Sequence, residues 1–158
     1  FIDVVSVFNG YKTCYYQTFV IGRPSSRQLD VYRKTYDWLF NAIDLIKPGV
    51  SSAEIASIWP SAQDLGHSSE AAAFALQLGH GIGITHWAKP VISRMFSFEH
   101  PEEIQEGMVM ALETYAGSGN DGARIEEMLV VTQNGYRMLS KFPSQNLISC
   151  PCIGFTFP

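Results

Sequence analysis

Gly79-His80-Gly81-Ile82-Gly83 sets a single imidazole between glycines in the middle of a 158-residue chain. Glycines on both sides of His80 remove side chains that would crowd an ion and let a neighbouring backbone approach closely. Downstream, Met108-Val109-Met110-Ala111-Leu112 is an apolar, strand-like run that ends in Glu113. A carboxylate there must be paired, protonated or metal-bound if the strand is buried. A second such run, Ala123 to Thr132, carries Glu126 and Glu127 side by side. Strand alternation puts Glu126 with Arg124 and Met128 and puts Glu127 with Ile125 and Leu129, and periodicity alone does not decide which glutamate faces the site. Imidazole suits Zn, Fe, Co or Mn and carboxylates suit Mg or Mn, so one histidine and two separated carboxylates make the donor set of a metal site. Each signal also has a plainer reading, because a histidine in a glycine-rich turn is often a surface group and Glu113 has Arg124 as an available ion-pair partner.

Working outward, Asn9-Gly10 lies between two apolar, β-branched and aromatic runs, Phe1 to Phe8 and Tyr11 to Ile21. That pattern predicts a β-hairpin, because both central residues tolerate positive φ. Asp3 sits in its first strand, where an acidic residue is a poor strand former, and Cys14 sits on its second. Gly22-Arg23-Pro24-Ser25-Ser26 predicts a turn that ends in a helix N-cap. Leu29, Tyr32, Tyr36, Leu39, Ile43 and Ile46 then recur at helical spacing, predicting a long amphipathic helix that runs to Lys47-Pro48-Gly49. Ser51 and Glu54 form a capping-box pattern for a short helix cut off by Pro60. Ser68 to Leu78 tolerates helix, Trp87 to Gly107 reads as loop, and Gly117 to Gly122 joins the two late strands. Asn134-Gly135 turns the chain into a last strand, Tyr136 to Leu139. Strands at both ends with helices between them predict an α+β fold with a mainly antiparallel sheet, in one domain over residues 1–143 with an irregular C-terminal tail over 144–158.

A chain of this length buries a proper core without disulfides. Only 16% of its residues are charged, so part of its surface is expected to be covered by a partner domain or by a second subunit in a dimer. The net charge of −4, with no Lys/Arg cluster, gives no electrostatic basis for binding nucleic acid or an anionic membrane. No apolar run suggests a membrane helix and no signal peptide is evident. Cys14, Cys150 and Cys152 are an odd set, which fits a reducing compartment and predicts a cytoplasmic protein. The chain starts at Phe1 and enters a strand at once, which predicts a domain that lacks its natural beginning.

In this order the motifs resemble the pita-bread superfamily of methionine aminopeptidases, Xaa-Pro dipeptidases and creatinase. The resemblance rests on Gly79-His80-Gly81-Ile82-Gly83, on Glu106-Gly107-Met108-Val109 leading to Glu113, on Gly122-Ala123-Arg124-Ile125-Glu126 and on Val130-Val131-Thr132 with Gly135. It extends forward through Gly10-Tyr11, Thr18-Phe19, Gly22 and Ile46-Lys47-Pro48-Gly49. It implies a curved antiparallel sheet with helices on its outer face, N-terminally incomplete here. It also implies metal ligands at Asp3, His80, Glu113 and Glu126, which selects Glu126 over Glu127. One or two divalent ions (manganese, Co, Fe or Zn) would activate water for hydrolysis of a small peptide or other small substrate, with Glu113 and His86 as catalytic residues.

Departures from the family pattern leave the reaction open. Cys14 stands eleven residues after Asp3, where the family has its second aspartate, and its thiolate is a candidate ligand for a softer ion such as Zn. Trp87 stands at the later substrate-contacting histidine, with His86 one residue early and Ala88 replacing the following glutamate. Thr114 replaces a proline and Gln17 an arginine, and the upstream substrate-binding histidine lies outside this chain. The leading expectation is an Xaa-Pro-peptidase-like metallohydrolase. A sulfoniopropionate-type lyase, a metal-free creatinase-like amidinohydrolase and a catalytically inactive binding module are the alternatives.

Overall fold

Asn9 and Gly10 take φ of 48° and 86°, as a two-residue hairpin turn requires. Around them, β1 (Ile2–Asp3) and β2 (Ser6–Phe8) pair antiparallel with β4 (Tyr16–Gln17) and β3 (Tyr11–Thr13), respectively. One register runs through both pairs, bridged by the Val4 N–H donating to the Tyr15 carbonyl at 2.9 Å, so this is one predicted hairpin with a break beside Cys14. The computed structural model describes residues 1–73 and 77–151.

After β5 (Phe19–Ile21), Ser25 caps α1 (Ser26–Ile43), with the Gln28 side chain accepting from the Ser25 N–H in return. The buried face is Val31, Tyr32, Thr35, Leu39, Ala42 and Ile43. The helix is shorter than predicted. It stops at Ile43, Leu29 is 46% exposed, and Ile46 is buried from the turn that follows rather than from the helix. α2 (Ser52–Ala56) is the short capped helix expected before Pro60. Ser68 to Ala73 forms bends and turns rather than helix, and the rest of that helix-tolerant stretch, 74–76, lies outside the described residues.

The main sheet contains β6 (Gly79–Gly81), β7 (Ala88–Ile92), β8 (Val109–Ser118), β9 (Asp121–Thr132) and β10 (Gly135–Met138), all antiparallel in the order β10-β9-β8-β6-β7. β8 and β9 are longer than predicted and pair from Val109↔Val130 to Ser118↔Asp121, so the turn between them shrinks to Gly119-Asn120. β7 replaces part of the predicted loop. It is an edge strand, where Pro90 costs no needed ladder bond. β11 (Ile148–Cys150) runs parallel to β5, so the tail expected to be irregular contains a strand, held by the Gly22 N–H on the Cys150 carbonyl at 2.8 Å.

α1 packs on β8 and β9, and the sheet side chains under it, among them Met110, Leu112, Ile125, Leu129 and Val131, build the main core. The opposite face carries a small second cluster of Cys14, Ile82, Ala111 and Met128. Alternation in β8 and β9 therefore sends Glu113, Arg124 and Glu126 to the face without the helix. Glu127 goes to the helix side, near Ser140, Ser144 and Tyr32.

Candidate metal centre

His80 enters between β7 and β8, opposite Val91 and Ala111. The flanking glycines serve that close approach. A Cβ on Gly81 would lie 2.3 Å from the Lys89 carbonyl oxygen, and one on Gly79 would lie 3.1 Å from that of Ala111. His80 Nδ1 is 3.0 Å from the Gly81 carbonyl oxygen. That oxygen can only accept, so Nδ1 carries a proton, and in the neutral ring Nε2 presents a lone pair. Nε2 points at Glu126 Oε1, 3.6 Å away.

The hairpin is laid over the same face by three contacts. The Thr18 hydroxyl accepts from the Arg124 N–H and donates to the Arg124 carbonyl, both at 2.9 Å. The Lys12 N–H donates to the Gly83 carbonyl at 2.7 Å. Cys14 Sγ thereby joins His80 and Glu126, with one ligand atom from each residue within 4.8 Å of the others. Asp3 is on the exposed part of the hairpin and meets the group through Cys14, Oδ1 to Sγ at 3.8 Å.

The donor set fits a cation. His80 Nε2 and both oxygens of Glu126 are buried without a hydrogen-bond partner. Orphaned buried acceptors of this kind are costly unless something positive sits among them. Burial, and next the Glu126 charge, push the Cys14 thiol up. At His80 burial pulls down, but Glu126, the Gly81 carbonyl and Glu113 together prevail and raise it. Glu113 is also raised, by burial and then by Glu126, against the pull of Arg124. All three shifts report a buried pocket with an excess of negative charge.

Glu113 stands across the ladder from Glu126, but both its oxygens are engaged. Arg124 Nη2 donates to Oε2, and Gln77 Nε2 donates to Oε1 at 3.0 Å. Arg124 in turn lies 3.9 Å over the Tyr16 ring. His86 stacks on His80 with ring centroids 6.0 Å apart, whereas Trp87 is 68% exposed and meets His86 edge-on. The structure thus gathers Cys14, His80 and Glu126 tightly, sets His86 beside them, ties Glu113 to Arg124 and leaves Asp3 at the rim. Sequence reasoning missed Gln77 and Tyr16, and no local pattern marks either. A cavity of about 310 Å³ is lined by Glu113 and Arg124 together with Trp38, Trp59, Leu65, Arg94 and Glu70.

The model of metallopeptidase family M24 matches residues 1–133. The Xaa-Pro dipeptidase of Pyrococcus furiosus is 29% identical over 143 residues, 89% of this chain and 39% of the relative. Among solved structures, dipeptidase PepE from Mycobacterium ulcerans superposes with a TM-score of 0.77 at 28% identity, covering 94% of this chain and 39% of that one. Prolidase from Pyrococcus furiosus superposes with a TM-score of 0.73 at 28% identity, covering 89% and 40%. The chain thus spans well under half the length of these relatives.

Proposed function

The chain belongs to metallopeptidase family M24 and has the pita-bread fold of its relatives, and from that membership we propose that it serves a metal-dependent hydrolase of the Xaa-Pro peptidase type, acting on small peptides. Residues 1–143 form the catalytic domain in this reading, and 144–158 follow it. The observation that carries it is the set of buried, unpartnered acceptors on His80 and Glu126, with Cys14 beside them. These three residues would hold a divalent ion, with Asp3 and Glu113 as neighbouring carboxylates. Such an ion, when bound, supplies a Lewis acid and brings the pKa of its water close to neutrality. Arg124 and Gln77 fix the Glu113 carboxylate, which would accept the proton of the attacking water. His86, stacked on His80 and half-buried, would donate to the substrate carbonyl.

The test is turnover of Xaa-Pro dipeptides by the full chain after dialysis against Mn, Co or Zn. Both metal retention and turnover are expected to be lost in His80→Ala and Glu126→Gln. Metal retention unchanged in both variants would remove the site. A second reading, a non-catalytic module, draws support from Glu113 having both oxygens occupied by Arg124 and Gln77. It predicts metal retention without turnover. The named relatives are dipeptidases, and nothing in them favours a lyase.

A further inference from the structure

Cys14 distinguishes this centre from one built of carboxylates alone. Its side chain is 3% exposed, it faces His80 at 1% and Glu126 at 0%, and the latter two bring unpartnered atoms to the same point. Around a tetrahedral zinc ion, with bonds of about 2.0–2.3 Å, neighbouring ligand atoms stand roughly 3.3–3.8 Å apart. The 3.6 Å between His80 Nε2 and Glu126 Oε1 already has that spacing, and Sγ lies within 4.8 Å of both. Three protein ligands with one position left open is the pattern of a catalytic zinc site. A second ion would need oxygens from Glu113. Those oxygens are held by Gln77 and by the Arg124 guanidinium, a fixed positive charge that is itself pinned on the Tyr16 ring.

We propose that Cys14, His80 and Glu126 form a three-ligand site for a single thiophilic divalent ion of the zinc type, in place of a two-ion carboxylate centre. The inference rests on the metal-centre reading above but not on peptide hydrolysis. A thiolate selects zinc or cobalt over manganese and magnesium, because soft donors prefer soft ions. Binding replaces the Cys14 S–H bond with a sulfur–metal bond and releases that proton to solvent.

The test is a titration of the chelator-treated full chain with Co²⁺, followed by absorption. One Co²⁺ per chain is expected, with a sulfur-to-cobalt charge-transfer band in the near ultraviolet and displacement by Zn²⁺ but not by Mn²⁺. Cys14→Ser should abolish the band and weaken Zn²⁺ binding by at least about 100-fold, since even outer-shell partners of ligands are worth 10- to 100-fold. Cys14→Asp should bind without the band and narrow the preference for Zn²⁺ over Mn²⁺. Two ions per chain, or one ion without the band, would overturn the single thiolate site and leave the metal centre standing. Cobalt binding unchanged in His80→Ala, or no ion bound by wild type and Cys14→Asp alike, would overturn both. The wild-type spectrum decides the question even if a variant fails to fold.

Discussion

Replacing Gly81 by alanine puts a methyl group 2.3 Å from the Lys89 carbonyl oxygen, 3.0 Å from its carbon and 3.2 Å from the Ala88 oxygen. All three are backbone atoms, so no rotamer change relieves the contact. The first distance is about 1 Å short of ordinary contact, and β6 and β7 must separate by that much where their register already shifts. Overpacking costs about 1–3 kcal/mol, and stretching one or two ladder hydrogen bonds adds about 1 kcal/mol each. The sum is about 3–4 kcal/mol, or roughly 10 °C in Tm for a domain of this size. Gly79→Ala meets one carbonyl oxygen and two side-chain carbons at 3.1–3.3 Å, and should cost about 1–2 kcal/mol. Gly83→Ala meets nothing within 4 Å and should stay within about 0.5 kcal/mol of wild type. Urea denaturation in the presence of chelator, followed by far-ultraviolet circular dichroism, separates folding from ion binding. The refuting result is Gly81→Ala as stable as Gly83→Ala at unchanged m-value, since the close approach of β6 to β7 would then be wrong.

Ser25→Ala removes the cap and half of the reciprocal Ser25–Gln28 pair at the head of α1, and should cost about 1 kcal/mol in the same denaturation assay. Arg124→Met leaves the Glu113 carboxyl buried with only Gln77, and should cost about 2–4 kcal/mol, with most of it recovered when Glu113→Gln is added. Tyr32 gives a pH signature. Burial, partly opposed by the Gln17 side chain, pushes its hydroxyl up to about 12, against about 10 in the unfolded chain. The folded state therefore favours the neutral phenol, a contribution present below pH of about 10 and lost as pH rises towards about 12. Tyr32→Phe should make the alkaline fall in Tm shallower. At neutral pH it should cost about 1–2 kcal/mol, because the Ser144 carbonyl loses its donor at 2.8 Å.

What was legible in the sequence was what local chemistry decides. Asn9-Gly10 marked the hairpin because both residues must take positive φ, and Ser25 lay where a cap was expected. Partners far away in sequence decided the rest. β7 looked like a loop because Pro90 argues against a strand until the strand is known to lie at the sheet edge. β11 has no alternating pattern of its own and forms because β5, more than a hundred residues earlier, offers a free edge. The two glutamates of β9 show the same limit. Alternation sorted Glu126 and Glu127 onto opposite faces, but which face holds the site depends on where α1 packs, and α1 covers the side of Ile125 and Leu129. Gln77 was invisible for the same reason, since its contact with Glu113 spans 36 residues.

The departures at Cys14 and Trp87 look alike in the sequence and differ in depth. Trp87 is exposed and turned edge-on to His86, which itself stacks on His80. Cys14 is buried against His80 and Glu126, in a small cluster with Ile82, Ala111 and Met128. If the proposed ion binds, a thiol there would change what the ion is bonded to, and the exposed Trp87 would change what can reach it. Affinity and ion preference should therefore follow residue 14, whereas substrate range should follow residue 87, and the two substitutions should act additively because they share no partner.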